Sequence, residues 1–292
     1  MKAPPFGYRR VDSGAEAVAA LGELGPEARI LAGGQSLLPM LSIRLAAPSH
    51  LIDIGRAEDL SFVTVDNGSL ALGAGTRQWA VEHDRSAGEM VPLLVEAISR
   101  AGQVPIRHRG TVVGSIAHAD PSAEIPTAFL AHGGTAVIHG AGGERTVTAD
   151  DFFQGPYMTA LEDGEMVNAI RFDRWPDGTG HAFEEFSHSH ESWPVVTAAV
   201  LMHLDGGVID QLAIAMSGVG GRPVRASAVE QELIGQAPSS EELSEAAHSA
   251  TAQLEPFSDV FGSSSYRKRV ARVMVSRALN MALQRAGDSN DH

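Results

Sequence analysis

The first 55 residues alternate between short apolar runs and segments with helical spacing of apolar positions. Ser13 followed by Glu16 is the pattern of a capping box, and apolar residues then recur on one helical face as far as Leu24. The apolar runs on either side are typical of buried strands. The predicted strands are 6–11, 28–32 and 50–54, and the predicted helices are 13–24 and 37–45. This order predicts a small parallel β-α-β-α-β unit.

Beyond residue 55 the pattern becomes that of an antiparallel sheet with helices. Two apolar runs, 60–65 and 70–73, flank Asp66-Asn67-Gly68-Ser69, which is a strong hairpin signal. Thr76 is predicted to cap a short helix, and the glycine-containing segment 111–117 is predicted to be a strand or turn. Further helices are predicted at 92–100 and 122–131, and further strands at 135–139, 146–147 and 166–172. Positions 56–175 therefore predict an α+β subdomain beside the first unit.

The stretch Trp175-Pro176-Asp177-Gly178-Thr179-Gly180 predicts a domain boundary, because proline and glycine interrupt regular structure there. Strands are predicted after it at 182–187, 195–203 and 208–217, and helices at 226–234, 241–253 and 266–285. The simplest packing is an antiparallel sheet with helices on one face. The predicted organisation is a domain at 1–177 with subdomains of about 1–55 and 56–177, a domain at 178–287, and a tail at 288–292. We expect disorder from Gly287 onward.

Composition limits the classes of function. The formal net charge is −14, so nucleic acid and anionic membranes are unfavourable partners. No apolar run approaches the roughly eighteen residues of a membrane span, and residues 1–10 lack the core of a signal peptide, so we expect a cytoplasmic protein. The sequence contains 0 cysteines, which excludes a cysteine-ligated iron–sulfur cluster and a cysteinyl-flavin link within it. Redox chemistry would therefore need an organic cofactor.

A glycine pair ends the apolar run 28–32. Gly33 and Gly34 allow positive φ angles and remove side chains that would block a ligand, so the following N–H groups can form an anion nest. Ser36 is a plausible N-cap, and a diphosphate could bind at the start of the helix that follows. The alternative is a plain strand-turn-helix corner. The pattern matches neither the GxGxxG fingerprint nor a Walker loop.

A second glycine turn lies about eighty residues later, and it favours the anion nest over the plain corner. The motif Ala-Gly-Gly-x-Ser occupies 32–36, a turn similar to Thr-x-Gly-Gly-x occupies 111–115, and Ala-x-x-Asp-Pro occupies 117–121. With these motifs the chain resembles the FAD-binding medium subunit of the molybdenum hydroxylases, the carbon monoxide dehydrogenase type with its xanthine, nicotine and caffeine dehydrogenase relatives. The resemblance continues through 218–225 and 265–269 and covers nearly the whole chain.

The resemblance implies a two-subdomain FAD-binding fold of the vanillyl-alcohol-oxidase/PCMH type, followed by a small α+β domain with an antiparallel sheet. It implies FAD in this chain, [2Fe–2S] clusters on a small partner subunit and a molybdenum cofactor on a large one, assembled as a dimer of heterotrimers. The chain would pass electrons from the clusters to an external acceptor, with no catalytic residue for the organic substrate and no metal of its own.

Two other functions stay open from the residues alone. One is an autonomous FAD-dependent oxidoreductase of the same fold, such as an alcohol oxidase or an enolpyruvyl reductase, which acts directly on a small organic substrate. Such an enzyme would carry a positioned acid or base over the flavin, and no such constellation is evident. The other is a non-catalytic nucleotide-binding or assembly protein.

The family's cofactor contacts are carried over to matching positions of this sequence. The expected FAD-binding residues are Leu31, Ala32, Gly33, Gly34, Gln35, Ser36, Leu37, Ala101, Thr111, Gly114, Ser115, Asp120, Glu124, Val167 and Trp193. Trp193 corresponds to an aromatic near the isoalloxazine ring, where an indole can shield a flavin face. Val113 departs from the family by replacing the second glycine of the turn. Glu191-Ser192 and Pro194 depart from the usual neighbours of the aromatic.

Several charged residues have two interpretations. Glu124 either helps to hold the nucleotide or is a solvated carboxylate at a helix start, where the helix dipole favours it. Asp120 either binds FAD or caps the next helix, and a metal site with His118 has no recognisable third ligand. The remaining ambiguous positions are His188 and His190, which are surface residues or metal ligands; Arg107 and Arg109, which meet phosphate or another subunit; and 266–269, which pack with solvated charges or touch a partner or cofactor.

Overall fold

Residues 2–189 and 192–288 are described by the computed structural model, and the N-terminal part forms the predicted parallel sheet. Its elements are β1 Gly7–Arg10, α1 Gly14–Leu24, β2 Ala28–Leu31, α2 Leu37–Ser42 and β3 His50–Asp53. The strands lie in the order β1-β3-β2, and both pairings are parallel. At the start of α1 the Ser13 hydroxyl accepts the N–H of Glu16 at 3.2 Å, whereas the Glu16 carboxylate accepts the N–H of Asp12. The serine cap of the predicted capping box is confirmed, whereas the glutamate binds the N–H of Asp12 and not that of Ser13.

A five-stranded antiparallel sheet follows, in the order β4-β5-β10-β6-β7. Asn67 and Gly68 both have positive φ, as a type I′ hairpin turn between β4 and β5 requires. The strands are β4 Val63–Asp66, β5 Ser69–Gly73, β6 Thr135–Gly140, β7 Gly143–Thr148, a small pair β8 Phe153–Gly155 and β9 Met158–Thr159, and β10 Met166–Asp173. The helices between them are α3 Gln78–Glu82, α4 Arg85–Met90, α5 Pro92–Arg100, α6 Val104–Arg107, α7 Val112–His118, α8 Glu124–His132 and α9 Ala149–Phe152.

Two local predictions in this region are wrong. Segment 111–117 is not a strand, because Thr111 caps α7 and the chain is helical from Val112 onward. Thr76 does not cap α3, whose N-cap is Arg77 without a side-chain bond. Instead the Thr76 hydroxyl exchanges hydrogen bonds with the backbone of Phe62, at 3.1 and 2.8 Å. In both cases a hydroxyl satisfies backbone groups that the sequence pattern does not identify.

The C-terminal region contains a four-stranded antiparallel sheet, ordered β11-β12-β13-β14, with helices. The elements are β11 Gly180–Phe186, β12 Val196–Asp205, β13 Val208–Ser217, β14 Val224–Arg225, α10 Ser227–Leu233, α11 Ser240–Ala252 and α12 Ser264–Asp288. Because α12 continues to Asp288, the expected disorder from Gly287 is wrong for these two positions. The last four residues of the predicted tail lie outside the described residues.

The C-terminal sheet contributes to two hydrophobic cores. On β12 the side chains of Ala199 and Leu201 join the N-terminal core, whereas Val200 and Met202 join the core formed with α10, α11 and α12. This alternation follows from the two-residue period of a strand. Both faces of the sheet are therefore buried, and α8 lies directly against β12 and β13. No helix within the described residues has the length and apolar character to span a bilayer.

Candidate functional site

The glycine loop, residues 31–37, lies in direct contact with the segment that precedes Thr111. A Cβ atom on Gly33 would collide with the carbonyl oxygen of Arg109 and lie 2.7 Å from the Cα of Gly110. A Cβ atom on Gly114 would lie 3.9 Å from the Cβ of Ala32. The two turns are distant in sequence, yet they lie next to each other in the fold.

The backbone N–H groups of 33–36 have no hydrogen-bond acceptor among the described residues. Gly34 has φ of 74°, and the loop therefore turns back on itself immediately after β2. Successive unpaired amides in such a turn are the elements of an anion nest. The Ser36 side chain does not cap α2, contrary to expectation. Leu31 and Leu37, at the two ends of the loop, are partly buried.

The second turn is the first turn of α7. The Thr111 hydroxyl accepts the N–H of Gly114 at 3.1 Å, and the Thr111 carbonyl accepts the N–H of Ser115 at 3.1 Å. These two amides are therefore used to start the helix. Val113, which replaces the family's second glycine, is 2% exposed in the core and has no positive φ. The substitution fits because the position is helical here.

Two arginines predicted near the second turn have different environments. Arg107 is buried and forms an ion pair with Glu82 at 2.8 Å, while its Nη1 donates to the carbonyl of Gly102 at 2.8 Å. This fixes Arg107 as part of the scaffold, so neither suggested role applies to its guanidinium. Arg109 is exposed, and its carbonyl faces Gly33.

Arg77 is a site neighbour that sequence reasoning missed. It forms a β-bridge with Thr111, and its Nη1 donates to the carbonyl of Arg109 at 2.5 Å. Burial, and next the neighbouring Arg109 cation, lower the pKa of Arg77. No local pattern marks this position, because its contacts come from residues more than thirty positions later in the chain.

Asp120 organises the turn between α7 and α8. Its Oδ1 accepts the N–H and the hydroxyl of Ser122 at 2.9 and 2.8 Å, and its Oδ2 accepts the hydroxyl of Tyr157 at 3.4 Å. It does not cap α8, whose N-cap is Ala123. The Tyr157 ring lies 5.1 Å from that of His118, and Tyr157 has φ of 57°, a strained angle for a bulky residue. No metal-binding group of three side chains occurs within 2–189 and 192–288.

Glu124 is not the solvated carboxylate that one interpretation expected. Burial, followed by the negative charges of Glu185 and Asp120, raises the pKa of Glu124 to about 8. The raised pKa favours the protonated carboxyl, which can donate a hydrogen bond as well as accept one. Glu185 belongs to β11, so this carboxyl lies where the C-terminal sheet meets α8.

Ala101 and Val167 lie in the N-terminal core. Ala101 is the C-cap of α5, from which the chain runs through α6 to the second turn. Val167 is on β10, a strand that α7 packs against. Both are buried, so any contact with a cofactor would come from the edge of the core.

Trp193 is 75% exposed and belongs to the segment between β11 and β12. Two residues further on, Val195 meets Gly218, whose N–H donates to the carbonyl of Pro121 at 2.8 Å. This contact connects the tryptophan segment to the turn that follows α7. Glu191, a departure from the family beside Trp193, lies outside the described residues.

The later ambiguous positions have structural partners. Arg267 is 3% exposed and donates to the carbonyls of Val195 and Gly218 at 2.6 and 3.1 Å, so it is not the solvated charge that one interpretation expected. The His188 Nε2 lies 2.6 Å from the carbonyl oxygen of Phe261. His190, the other suggested metal ligand, lies outside the described residues.

Comparisons with known proteins agree with this architecture. Residues 4–175 match the family model described as FAD binding domain in molybdopterin dehydrogenase, and residues 181–282 match that described as CO dehydrogenase flavoprotein C-terminal domain. The chain is 38% identical to the carbon monoxide dehydrogenase medium chain of Hydrogenophaga pseudoflava, over 97% of this chain and 98% of that protein. It is 36% identical to the 6-hydroxypseudooxynicotine dehydrogenase complex subunit alpha of Paenarthrobacter nicotinovorans, over 100% of both.

Solved structures give the same result. A chain of carbon monoxide dehydrogenase from Hydrogenophaga pseudoflava superposes with a TM-score of 0.95 at 39% identity, covering 98% of this chain and 99% of that one. A chain of quinoline 2-oxidoreductase from Pseudomonas putida 86 gives 0.93 at 34% identity, covering 98% and 99%. The chain belongs to the family of FAD-binding medium subunits of the molybdenum hydroxylases. The predicted FAD cofactor, FAD-binding fold and oxidoreductase class are confirmed.

Proposed function

We propose that this chain is the electron-transfer subunit of a heterotrimeric molybdenum hydroxylase. Its relatives over nearly their full length are medium chains or subunits of dehydrogenases, and this is the observation that carries the proposal. Bound FAD would supply the redox chemistry, because a flavin can take electrons from the partner's clusters and give them to an external acceptor. The chain itself binds and orients the cofactor. Its two units are 1–177 and 178–287, a division supported by family matches at 4–175 and 181–282.

The glycine loop fits a diphosphate. The unpaired amides of 33–36 supply donors. The two glycines permit this loop because Gly34 adopts a positive φ and Gly33 allows the close approach of the Arg109 backbone. The second turn contributes mainly through the Ser115 hydroxyl, since the amides of Gly114 and Ser115 are used at the start of α7. The proposed FAD-binding residues are the glycine loop with Ala101, Thr111, Gly114, Ser115, Asp120, Glu124, Val167 and Trp193.

We assign the electron donor to a partner, because these 292 residues contain 0 cysteines to ligate an iron–sulfur cluster. We assign the [2Fe–2S] clusters to a small partner subunit and the molybdenum cofactor to a large one. A dimer of heterotrimers in the cytoplasm is the proposed assembly. One relative of known structure is a Cu,Mo-CO dehydrogenase, which supports a molybdenum enzyme as the context.

Co-expression tests this assignment. The chain is expressed alone and with the proteins encoded beside its gene, and the flavin spectrum and co-purifying subunits are recorded. We expect a yellow chain that joins two partners, whose clusters reduce its flavin when substrate is added. A yellow chain that oxidises a small alcohol unaided would identify an autonomous flavoenzyme. A colourless chain that still assembles would identify a non-redox assembly role.

Gly33→Val tests the loop within that function. The new side chain would collide with the carbonyl of Arg109, so the loops would separate and FAD retention should be lost while the fold persists. Flavin-to-protein absorbance ratio and circular dichroism measure the two effects. Gly22→Val is the control, because Gly22 is exposed and a Cβ atom there would have no neighbour within 4 Å. Normal FAD content in Gly33→Val would refute the loop assignment.

A further inference from the structure

Arg77 joins the two turns from a third part of the chain. Its Nη1 donates to the Arg109 carbonyl at 2.5 Å, and that carbonyl is the atom that approaches Gly33. The β-bridge to Thr111 holds the backbone of Arg77 against the start of α7. The side chain thus fixes the wall that the glycine loop packs on.

The Arg77 guanidinium also lies at the carboxyl end of the parallel sheet. Its Nη2 is 4.0 Å from the position of a Cβ on Gly55, two residues after β3. At the same end the N–H of Ile54 donates to the carbonyl of Leu31, the first residue of the glycine loop. The cation therefore lies between the end of β3 and the carbonyl that covers Gly33.

This charge has no ion-pair partner in the part of the chain that the structure describes. Among those same residues, no carboxylate oxygen lies within 4.0 Å of the guanidinium of Arg77 or of Arg109. The nearby Asp53 accepts the N–H of Gly55 at 2.8 Å and the hydroxyl of Tyr8 at 2.5 Å. Two like charges are thus placed side by side in a protein whose formal net charge is −14.

Asp53 attracts the Arg77 cation only from beyond ion-pair distance, and its oxygens already accept hydrogen bonds, so a bound anion would stabilise the two cations further. Arg77 is partly buried, and the neighbouring Arg109 cation repels it. A planar guanidinium that keeps N–H groups available is well suited to a phosphate. The unpaired amides of 33–36 are donors of the same kind on the facing loop.

We propose that Arg77 is a positioning residue for the cofactor, which holds the Arg109 carbonyl over Gly33 and, together with Arg109, balances the charge of the diphosphate. The inference rests on the proposed FAD-binding role. It adds two cations to the neutral amides and hydroxyls that are proposed to face the diphosphate. It also predicts that affinity depends on these arginines only for ligands that carry the diphosphate.

The test compares ligands with and without that group on the full chain freed of flavin. Dissociation constants of FAD, riboflavin, ADP and adenosine are measured by fluorescence and calorimetry for wild type, Arg77→Gln, Arg77→Lys and Arg109→Gln. We expect Arg77→Gln to weaken FAD and ADP by about tenfold to a hundredfold while riboflavin and adenosine change little. Arg109→Gln keeps its backbone carbonyl, so it should show a smaller loss with the same ligand selectivity.

Arg77→Lys separates the two parts of the role, because it keeps the charge but not the planar fork. It should recover part of the ADP affinity. The matched control is Arg85→Gln, an exposed arginine paired with Glu89 on α4, which should bind all four ligands as wild type does.

Equal weakening of FAD and riboflavin in Arg77→Gln would overturn the charge-balancing role. Unchanged FAD affinity in Arg77→Gln would overturn the whole inference. If the wild-type chain itself binds no FAD, the proposed function fails instead. The unfolding midpoint of each variant is measured in parallel, so that a loss of affinity is interpreted only in folded protein.

Discussion

At the scale of single residues, the two glycines of the loop are required for different reasons. Gly34 has φ of 74°, a conformation that costs side-chain-bearing residues free energy. Gly33 does not have a positive φ and is required because the backbone of Arg109 and Gly110 approaches it closely. The sequence pattern predicts a glycine loop here. It does not reveal the close approach to Gly33, because that contact comes from a segment more than seventy residues away.

Glu124 gives a pH-dependent prediction at the same scale. The folded protein keeps this proton up to about pH 8, whereas the unfolded chain releases it near the ordinary glutamate pKa of 4.5. Because the folded state binds more protons in this window, the stability of the flavin-free protein should fall as pH rises through it. The contribution of this single group is at most about 1.4 kcal/mol per pH unit.

Glu124→Gln removes the ionisation and keeps the size of the side chain. Urea unfolding of both flavin-free proteins at several pH values from about 5 to about 8 measures the difference. We expect the variant to gain stability relative to wild type as the pH rises. Parallel stability curves for the two proteins would show that Glu124 is not protonated in the fold.

At the scale of elements, the start of α7 is decided by one hydroxyl. Thr111 Oγ1 accepts the N–H of Gly114, and a Cβ atom on Gly114 would collide with that same oxygen. The glycine-containing segment predicts a strand or turn, and this prediction is wrong because the glycine here makes room for a helix cap. Val113 confirms the helical conformation, since it points into the core without strain.

Thr111→Ala should destabilise the protein by about 1 kcal/mol through loss of the cap, and it should weaken FAD retention because the second turn loosens. Thr111→Ser keeps the hydroxyl and serves as the matched variant. Urea denaturation and flavin content measure the two effects. If alanine and serine at this position behaved alike in both measurements, the cap would not hold the turn.

At the scale of the whole molecule, the C-terminal sheet completes the neighbourhood of the site. One face of this sheet packs against α10, α11 and α12, and its other face packs against the N-terminal core. In this contact the Thr197 hydroxyl donates to that of Thr127 on α8 at 3.3 Å. Burial of Glu124, and after it the charge of Glu185 on this sheet, raises the pKa of Glu124.

Gly218→Ala tests how the two parts are joined. Gly218 has φ of 72°, and a Cβ atom would collide with the backbone of Val195. We expect a loss of more than about 1 kcal/mol in stability, because alanine is strained at this φ and its collision with Val195 would displace the backbone N–H that donates to Pro121. The fluorescence of Trp193 with FAD bound should change, since its segment is displaced.

Gly220→Ala is the control for this experiment. A Cβ atom there would lie 3.9 Å from the nearest atom, the carbonyl oxygen of Arg222, and the residue has no positive φ. Its stability should lie within about 0.5 kcal/mol of wild type. Similar thermal unfolding curves for the two alanine variants would contradict the proposed role of Gly218.

The sequence by itself determined most strands and most helices, because apolar spacing, hairpin glycines and helix caps act within a few residues of each other. It missed the short strands β8, β9 and β14. It also indicated the family, through ordered motifs at 32–36 and 111–121. Only the tertiary structure decided that Gly33 meets the Arg109 backbone, that Arg77 supports this contact, and that Glu124 is partly buried near Glu185 of a second sheet. These depend on close packing between segments far apart in the chain, which no local pattern of residues encodes.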